Sequence, residues 1–91
     1  MIQIYLFVHK VDIDGDKSID YDVFNTYEEA KEEYDHCADA IKHHLVEFIT
    51  AESPVEERFN MQIGKKIEMT LDGYKQKETH NIKIYEIDLY E

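Results

Sequence analysis

The chain has few of the residues that mark secreted, zinc-binding or membrane-spanning proteins. Its 91 residues include one cysteine, one proline, three glycines and no tryptophan. A single cysteine, Cys37, excludes an internal disulfide and offers no cysteine-based zinc framework. No apolar run approaches the roughly 20 residues of a membrane span. The start, Met1-Ile2-Gln3-Ile4, lacks the basic region of a signal peptide, so we expect a cytoplasmic protein.

Basic residues are also scarce. Ten lysines and arginines stand against 21 aspartates and glutamates, and the net charge is −11. Such a charge repels nucleic acid and anionic membranes and attracts basic proteins or cations. The apolar fraction of 43%, with seven tyrosines and four phenylalanines, still supplies a core. We therefore predict one folded domain over residues 1–91.

The first two elements are predicted to form a β-hairpin. Residues 2–8 carry apolar side chains at both odd and even positions, as an interior strand requires. Asp14-Gly15-Asp16 supplies turn-forming residues. Residues 18–23 then alternate between polar and apolar, which predicts a half-exposed strand. Its outward positions would be Ser18, Asp20 and Asp22, and its inward ones Ile19, Tyr21 and Val23.

Two helices are predicted next. Thr26 with Glu29 three residues later has the spacing of a capping box. Apolar residues then recur every three or four positions to about Thr50, which indicates an amphipathic helix packed on the sheet. This stripe consists of Ala30, Tyr34, Cys37, Ile41, Leu45 and Phe48. Ser53-Pro54-Val55-Glu56 resembles a second helix start, and Gly64 would end a short helix.

Two further strands complete the predicted fold. Residues 67–71 alternate between apolar and polar, residues 78–81 are typical of a turn, and Ile82–Tyr90 forms the last strand. The apolar phase changes within that strand, which indicates a bulge or cover on both faces. The order is ββααββ: an α+β fold with a mainly antiparallel four-stranded sheet and one long and one short helix on one face. If the last strand lies at an edge, it can pair with a second copy in a homodimer.

The acidic residues concentrate in one part of the chain. Between Asp12 and Asp39 eleven acids meet only Lys17 and Lys31, so this segment carries 2 − 11 = −9. Carboxylates on alternate strand positions repeat about every 6.6 to 6.8 Å and are held by regular elements. The predicted partner-binding acidic surface comprises Asp14, Asp16, Asp20, Asp22, Glu28, Glu29, Glu32, Glu33, Asp35 and Asp39.

This layout favours a non-enzymatic acidic binding protein. A fixed row of carboxylates can occupy a lysine- and arginine-lined groove made for nucleic acid. In size and charge the chain resembles small inhibitors of phages and mobile elements that mimic nucleic acid, of the anti-CRISPR or anti-restriction type. The expected partner is a basic protein, in particular a nucleic-acid-binding enzyme, and no membrane partner is expected. An immunity protein or antitoxin against a basic toxin nuclease is the first alternative.

Catalysis is not predicted. The sequence has no glycine-rich phosphate loop, no nucleophile elbow and no Cys–His pairing at a family spacing. No cofactor is expected, and nor is direct binding to nucleic acid.

A calcium-binding module is the second alternative. Asp12, Asp14, Asp16 and Asp20 are weak candidate ligands, spaced as at the start of an EF-hand loop. The pattern then departs from that loop. Lys17 replaces the glycine of the bend, Val23 replaces the closing glutamate, and a strand precedes the segment instead of a helix. The helical positions of His36, Asp39 and His43 form a further possible metal-binding face.

Overall fold

The computed structural model describes residues 2–48, 55–60, 65–73 and 78–89. Its elements are β1 (Ile2–Ile13), β2 (Asp16–Phe24), α1 (Tyr27–Phe48), β3 (Val55–Asn60), β4 (Lys65–Gly73) and β5 (Glu78–Leu89). The five strands form one antiparallel sheet in the order β2-β1-β5-β4-β3. The α+β class is confirmed, with one helix and five strands in place of the predicted two helices and four strands.

The last strand is the centre of this sheet. β5 pairs with β1 along its whole length, from Ile2 opposite Leu89 to Ile13 opposite Glu78, and with β4 on its other side. The prediction that the last strand could lie at an edge is therefore wrong, because the two edges are β2 and β3. Any self-association has to use a surface other than the edge of β5.

A tight turn joins β1 to β2, as predicted. Asp14 and Gly15 both have positive φ, 52° and 95°, as in a type I′ turn, whose twist suits a two-residue hairpin. Asp12 supports this turn, since its Oδ1 accepts a hydrogen bond from the backbone N–H of Gly15 at 2.9 Å. The aspartates that resemble a calcium loop thus have a turn-forming role.

The helix begins at the predicted cap. The backbone N–H of Glu29 donates to Thr26 Oγ1 at 3.2 Å, and the Thr26 hydroxyl donates to Glu29 Oε1 at 3.0 Å. From there α1 crosses one face of the sheet and buries Ala30, Tyr34, Ile41 and Leu45 of its apolar stripe, while Cys37 is half-buried. The core below it comprises Phe7, Ala30, Tyr34, Ala38, Ile41, Leu45, Ile67, Met69, Leu71, Ile82 and Ile84. Among the described residues, no helix is long and apolar enough to span a membrane.

Among the described residues, α1 packs on one face of the sheet, and we call the other face the open face. The register places the odd residues of β2 on the open face, where Ile19, Tyr21 and Val23 are 60, 69 and 57% exposed. The prediction that these three side chains face a core is wrong. The carboxylates of Asp20 and Asp22 instead lie on the helix side, and as part of an edge strand they are exposed too.

Two local predictions in the second half are wrong. Val55–Asn60 is strand β3 paired with β4, not the short helix; Ser53, Pro54 and residues 61–64 lie outside the described residues. Glu78 to Asn81 begins β5 and is not a turn. The irregularity in this region lies in β4, where the register shifts between Lys65 and Ile67. β5 lies between β1 and β4, and most of its residues on both faces are buried or half-buried. This explains why its apolar residues change phase along the strand.

Candidate functional site

The acidic surface is built on the helix side of the molecule, from β2 and α1 together. Asp20 lies opposite His9 and Asp22 opposite Phe7 in the β1–β2 ladder, so both carboxylates project to the side where α1 packs. Sequence analysis placed Asp20 and Asp22 on a solvent-facing row. They are exposed, and the helix is their neighbour.

The acids of α1 extend this surface. Glu28, Glu29, Glu32, Asp35 and Asp39 are exposed, and Glu33 is half-buried. A shallow groove of about 320 Å³ runs beside this part of the helix. It is lined by Phe24, Glu29, Glu32, Glu33 and His36. The structure thus brings the strand and helix acids to one side around an apolar floor residue.

Two members of the predicted surface stand apart. Asp14 and Asp16 are exposed at the tip of the hairpin, in the turn and at the start of β2. Lys31 forms an ion pair with Asp35 on α1. Lys17 belongs to the open face, opposite Asp12 in the ladder. Of the two lysines in the acidic segment, only Lys31 therefore lies near the acids of the helix side.

The calcium candidates do not share a coordination centre. The register places Asp12 on the open face, whereas Asp16 and Asp20 project to the helix side. Within residues 2–48 and the three described strands that follow, no group of three or more His, Cys, Asp or Glu side chains is arranged to hold a metal ion. The set of His36, Asp39 and His43 on α1 is therefore not arranged to hold a metal ion either.

Sequence analysis missed a hydrogen-bonded chain beneath the helix. His9 Nε2 lies 2.9 Å from His80 Nδ1, and their rings stack with centroids 5.2 Å apart. His80 Nε2 is 2.7 Å from Glu78 Oε2, and His44 Nε2 is 3.1 Å from the same oxygen. At the other end, Cys37 Sγ lies 3.7 Å from His9 Nδ1. We call these five residues the histidine chain.

One proton arrangement satisfies the whole histidine chain with neutral imidazoles. The Cys37 thiol donates to His9 Nδ1, His9 Nε2–H donates to His80 Nδ1, and His80 Nε2–H donates to the Glu78 carboxylate. An extra proton on His9 Nδ1 reverses the contact with Cys37 alone, whereas an extra proton on His80 Nδ1 also reverses the contact between the two histidines. In both cases only one of the two facing nitrogens carries hydrogen, so the pair holds one imidazolium. When that imidazolium is His80, it lies beside the carboxylate of Glu78, a residue that is 6% exposed.

The electrostatics favour the neutral forms of His9 and of the Cys37 thiol. Burial lowers the pKa of His9, the neighbouring His80 lowers it further, and Asp20 opposes both effects. Burial, with a smaller effect of Glu33, raises the pKa of the Cys37 thiol to about 11. A thiol with this pKa is not a nucleophile at neutral pH. The chain therefore fits a structural role between helix and sheet better than a catalytic one.

The sequence held only a faint signal for these residues. Glu78 and His80 alternate with Thr79 and Asn81, which is a strand pattern in polar residues. Polar residues are normally exposed, so the pattern resembled a turn. Distant partners make their burial possible: His9, 71 positions from His80, and His44 on α1, which contacts Glu78.

Tyrosine is enriched in protein interfaces, so the exposure of Tyr21, Tyr27, Tyr34 and Tyr74 bears on partner binding. Tyr21 is 69% exposed on the open face, whereas Tyr34 is 1% exposed under the helix. Tyr27 is half-buried, with its ring 5.9 Å from that of Tyr5. Tyr74 lies outside the described residues. Of the described candidates, Tyr21 is the one placed to contact a partner.

Comparison with known proteins found no match among family models, curated proteins or solved structures. The function has to be inferred from the side chains of this chain alone.

Proposed function

We propose that the chain is a non-enzymatic binding protein whose acidic helix side docks on the basic, nucleic-acid-binding site of another protein. The observation that carries this proposal is the placement of Asp20, Asp22 and the α1 acids on one side of the molecule. A phage or mobile-element inhibitor that mimics nucleic acid is the form of this function that we favour.

The support is electrostatic and geometric. Side chains held on a strand and a capped helix keep a fixed spacing, so their charges act on a partner together. A basic groove releases counterions when nucleic acid binds, and a rigid carboxylate array can produce the same release. Lining residues such as Glu29, Glu32 and Glu33 surround the apolar Phe24, which adds a contact for the aliphatic stems of lysine or arginine.

The histidine chain gives no reason to prefer an enzyme. Its thiol is protonated at neutral pH, and its imidazoles face each other instead of an open cleft. A general base needs access to a substrate proton within hydrogen-bonding distance. The arrangement instead ties α1 to β1 and β5, which keeps the acidic surface in place.

The test begins with capture of partners from a host lysate and continues with competition. A captured nucleic-acid enzyme should lose its DNA or RNA when the protein is added at moderate salt. Competition should weaken as salt rises. The double variant Asp20→Asn, Asp22→Asn and the helix variant Glu28→Gln, Glu32→Gln should each raise the concentration needed for half-displacement by ~tenfold or more, equivalent to 1.4 kcal/mol.

A charge-matched control separates local mimicry from net charge. The variant Asp12→Asn, Asp72→Asn removes two charges from the open face, and the amide oxygens can still accept the hydrogen bonds from the Gly15 N–H and from Arg58. It should compete like the wild-type protein. If the control weakens competition as much as the test variants do, net charge and not the acidic surface is responsible. Competition that survives neutralisation of all four test positions contradicts the proposal. Capture of a toxin nuclease would instead support the alternative that the acidic surface belongs to an immunity protein.

A further inference from the structure

The open face exposes apolar side chains that a monomer usually buries. Ile19, Tyr21 and Val23 on β2 are 57–69% exposed, and Ile2 and Leu89 are 47 and 42% exposed. The register places all five on the side opposite the helix. We call this surface the apolar patch.

The apolar patch is continuous across three strands. Val23 lies opposite Leu6, which in turn lies opposite Tyr85; Ile2 lies opposite Leu89 at one end. Tyr21 lies opposite Val8, which is only 8% exposed between its neighbours. Large contiguous apolar patches on a small domain mark interaction surfaces.

We infer that the apolar patch binds the same patch of a second copy, which gives a symmetric dimer with two sheets face to face. The inference does not depend on the function proposed for the acidic surface. It replaces pairing through the edge of the last strand, which the position of β5 excludes.

Charge selects the open face for contact between identical copies. Identical surfaces carry identical charge, so the strongly acidic helix side repels its own copy. The described side chains of the open face are nearly balanced, with four basic and three acidic groups. These are Lys10, Lys17, Arg58 and Lys83 against Asp12, Glu68 and Asp72. An isologous contact there brings no strong like-charge repulsion.

Several of those charges are already paired within one copy. Arg58 forms an ion pair with Asp72, and Lys83 Nζ lies 3.4 Å from Glu68 Oε1. Asn81 Nδ2 donates to Glu68 Oε1 at 2.9 Å and to Thr70 Oγ1 at 3.0 Å. The polar half of the open face thus needs few new partners when water is removed beside it.

The area is sufficient for a specific contact. With five strongly exposed side chains and a half-buried rim, each copy would bury on the order of 600 to 800 Å², close to the roughly 800 Å² per partner of a standard interface. Sheets packed in this way lie about 10 Å apart, and the two helices become the outer layers. The acidic surfaces then face outward in opposite directions.

Sedimentation equilibrium of the full chain, from about 1 µM to about 1 mM, tests the dimer. Wild-type protein should show a reversible monomer–dimer equilibrium. Tyr21→Lys should raise the dimer dissociation constant by ~tenfold or more, because it places a charge between Ile19 and Val23 in the patch. Ser18→Lys adds the same charge to the same strand on the helix side, and should leave the dissociation constant unchanged. Circular dichroism should show both variants folded.

Spin labels at Asp39→Cys, in a Cys37→Ser background, report the geometry. Face-to-face sheets put the two helices on the order of 30 Å apart, the sum of three layer spacings. A wild-type protein that stays monomeric over the whole range overturns the inference. So does a dimer that tolerates Tyr21→Lys, or one whose labels lie near 20 Å, as pairing of two β2 edges in one sheet would give.

Discussion

The two faces of the sheet differ in how far their side chains are buried, although the same strands form both. On the helix side, Ile82 and Ile84 are fully buried, and even the polar Glu78 and His80 are less than 10% exposed. On the open face, Ile19 keeps 60% of its surface in water. Alternating apolar residues therefore do not identify the core face of a strand. The position of the helix identifies that face, and the helix contacts β1 and β5 more extensively than the edge strand β2.

The largest expected difference between the faces is in stability. Ile84→Ala on the helix side should lower the free energy of unfolding by about 2 to 5 kcal/mol, because it leaves a cavity in the core. Ile19→Ala, the same chemical change on the open face, should cost less than about 1 kcal/mol. Urea unfolding at a concentration where the protein is monomeric measures both. Ile84→Val, expected to cost about 0.5 to 1.5 kcal/mol, serves if the alanine variant does not fold.

Equal costs for Ile84→Ala and Ile19→Ala would contradict the assignment of the faces. A larger cost at Ile19 would mean that the open face is covered in the folded monomer.

The next effect concerns pH and separates the half-buried His9 from an exposed histidine. The pKa of His9 is lowered from its ordinary value of 6.5, so the unfolded chain binds this proton more readily than the folded one. Stability from His9 is therefore complete above pH 6.5 and is lost as pH falls from 6.5 toward the folded pKa. The slope for this proton is at most about 1.4 kcal/mol per pH unit.

Thermal or urea unfolding at a series of pH values between neutral and mildly acid measures that slope. His9→Gln should flatten it, since the variant has no proton to bind at this position. His36→Gln, at an exposed position on α1, should leave the slope of the wild-type protein. If both variants behave alike, His9 is not the group responsible.

The smallest effect compares two tyrosine hydroxyls. The Tyr34 hydroxyl is buried and has no hydrogen-bond partner in the described part of the chain, and burial raises its pKa above the usual value. Tyr34→Phe should therefore stabilise the protein by about 1 kcal/mol. Tyr21→Phe removes a hydroxyl from a side chain 69% exposed and should change stability by less than about 0.5 kcal/mol. A loss of stability in Tyr34→Phe would show that its hydroxyl has a partner.

Local signals predicted the first half of the fold well. The Asp14-Gly15 turn and the Thr26–Glu29 capping box depend on residues close in sequence, and both are present. Local signals did not predict which face of β2 lies on the helix side. Ile19, Tyr21 and Val23 alternate as a buried row would, and nothing within the strand tells which side the helix takes.

The second half shows how pairing overrides local preference. Val55 and Phe59 are one helical turn apart, but they also share one side of a strand, so their spacing fits both structures. The antiparallel pairing of β3 with β4 stabilises the strand relative to the helix. Glu78 and His80 were assigned to a turn because burial of polar residues depends on distant partners, and His9 is 71 positions away.

For the candidate site, the sequence pattern indicated which acids are exposed. All of them are exposed except Glu33, which is half-buried. It did not predict that Asp20 and Asp22 would lie beside the helix. That arrangement follows from the ladder between β1 and β2, which places these residues opposite His9 and Phe7. Charge can be counted in a sequence, whereas the side on which it gathers depends on tertiary packing.

The central position of β5 also has a consequence for how the protein folds. The β1–β2 hairpin is local and forms in roughly 1 to 10 µs in isolated systems. The pairing of Ile2 with Leu89, in contrast, closes a loop that contains every other element. During synthesis, one edge of β1 stays unpaired until β5 has left the ribosome. Folding should therefore be slow for a chain of this length, within the millisecond-to-second range of non-local sheets.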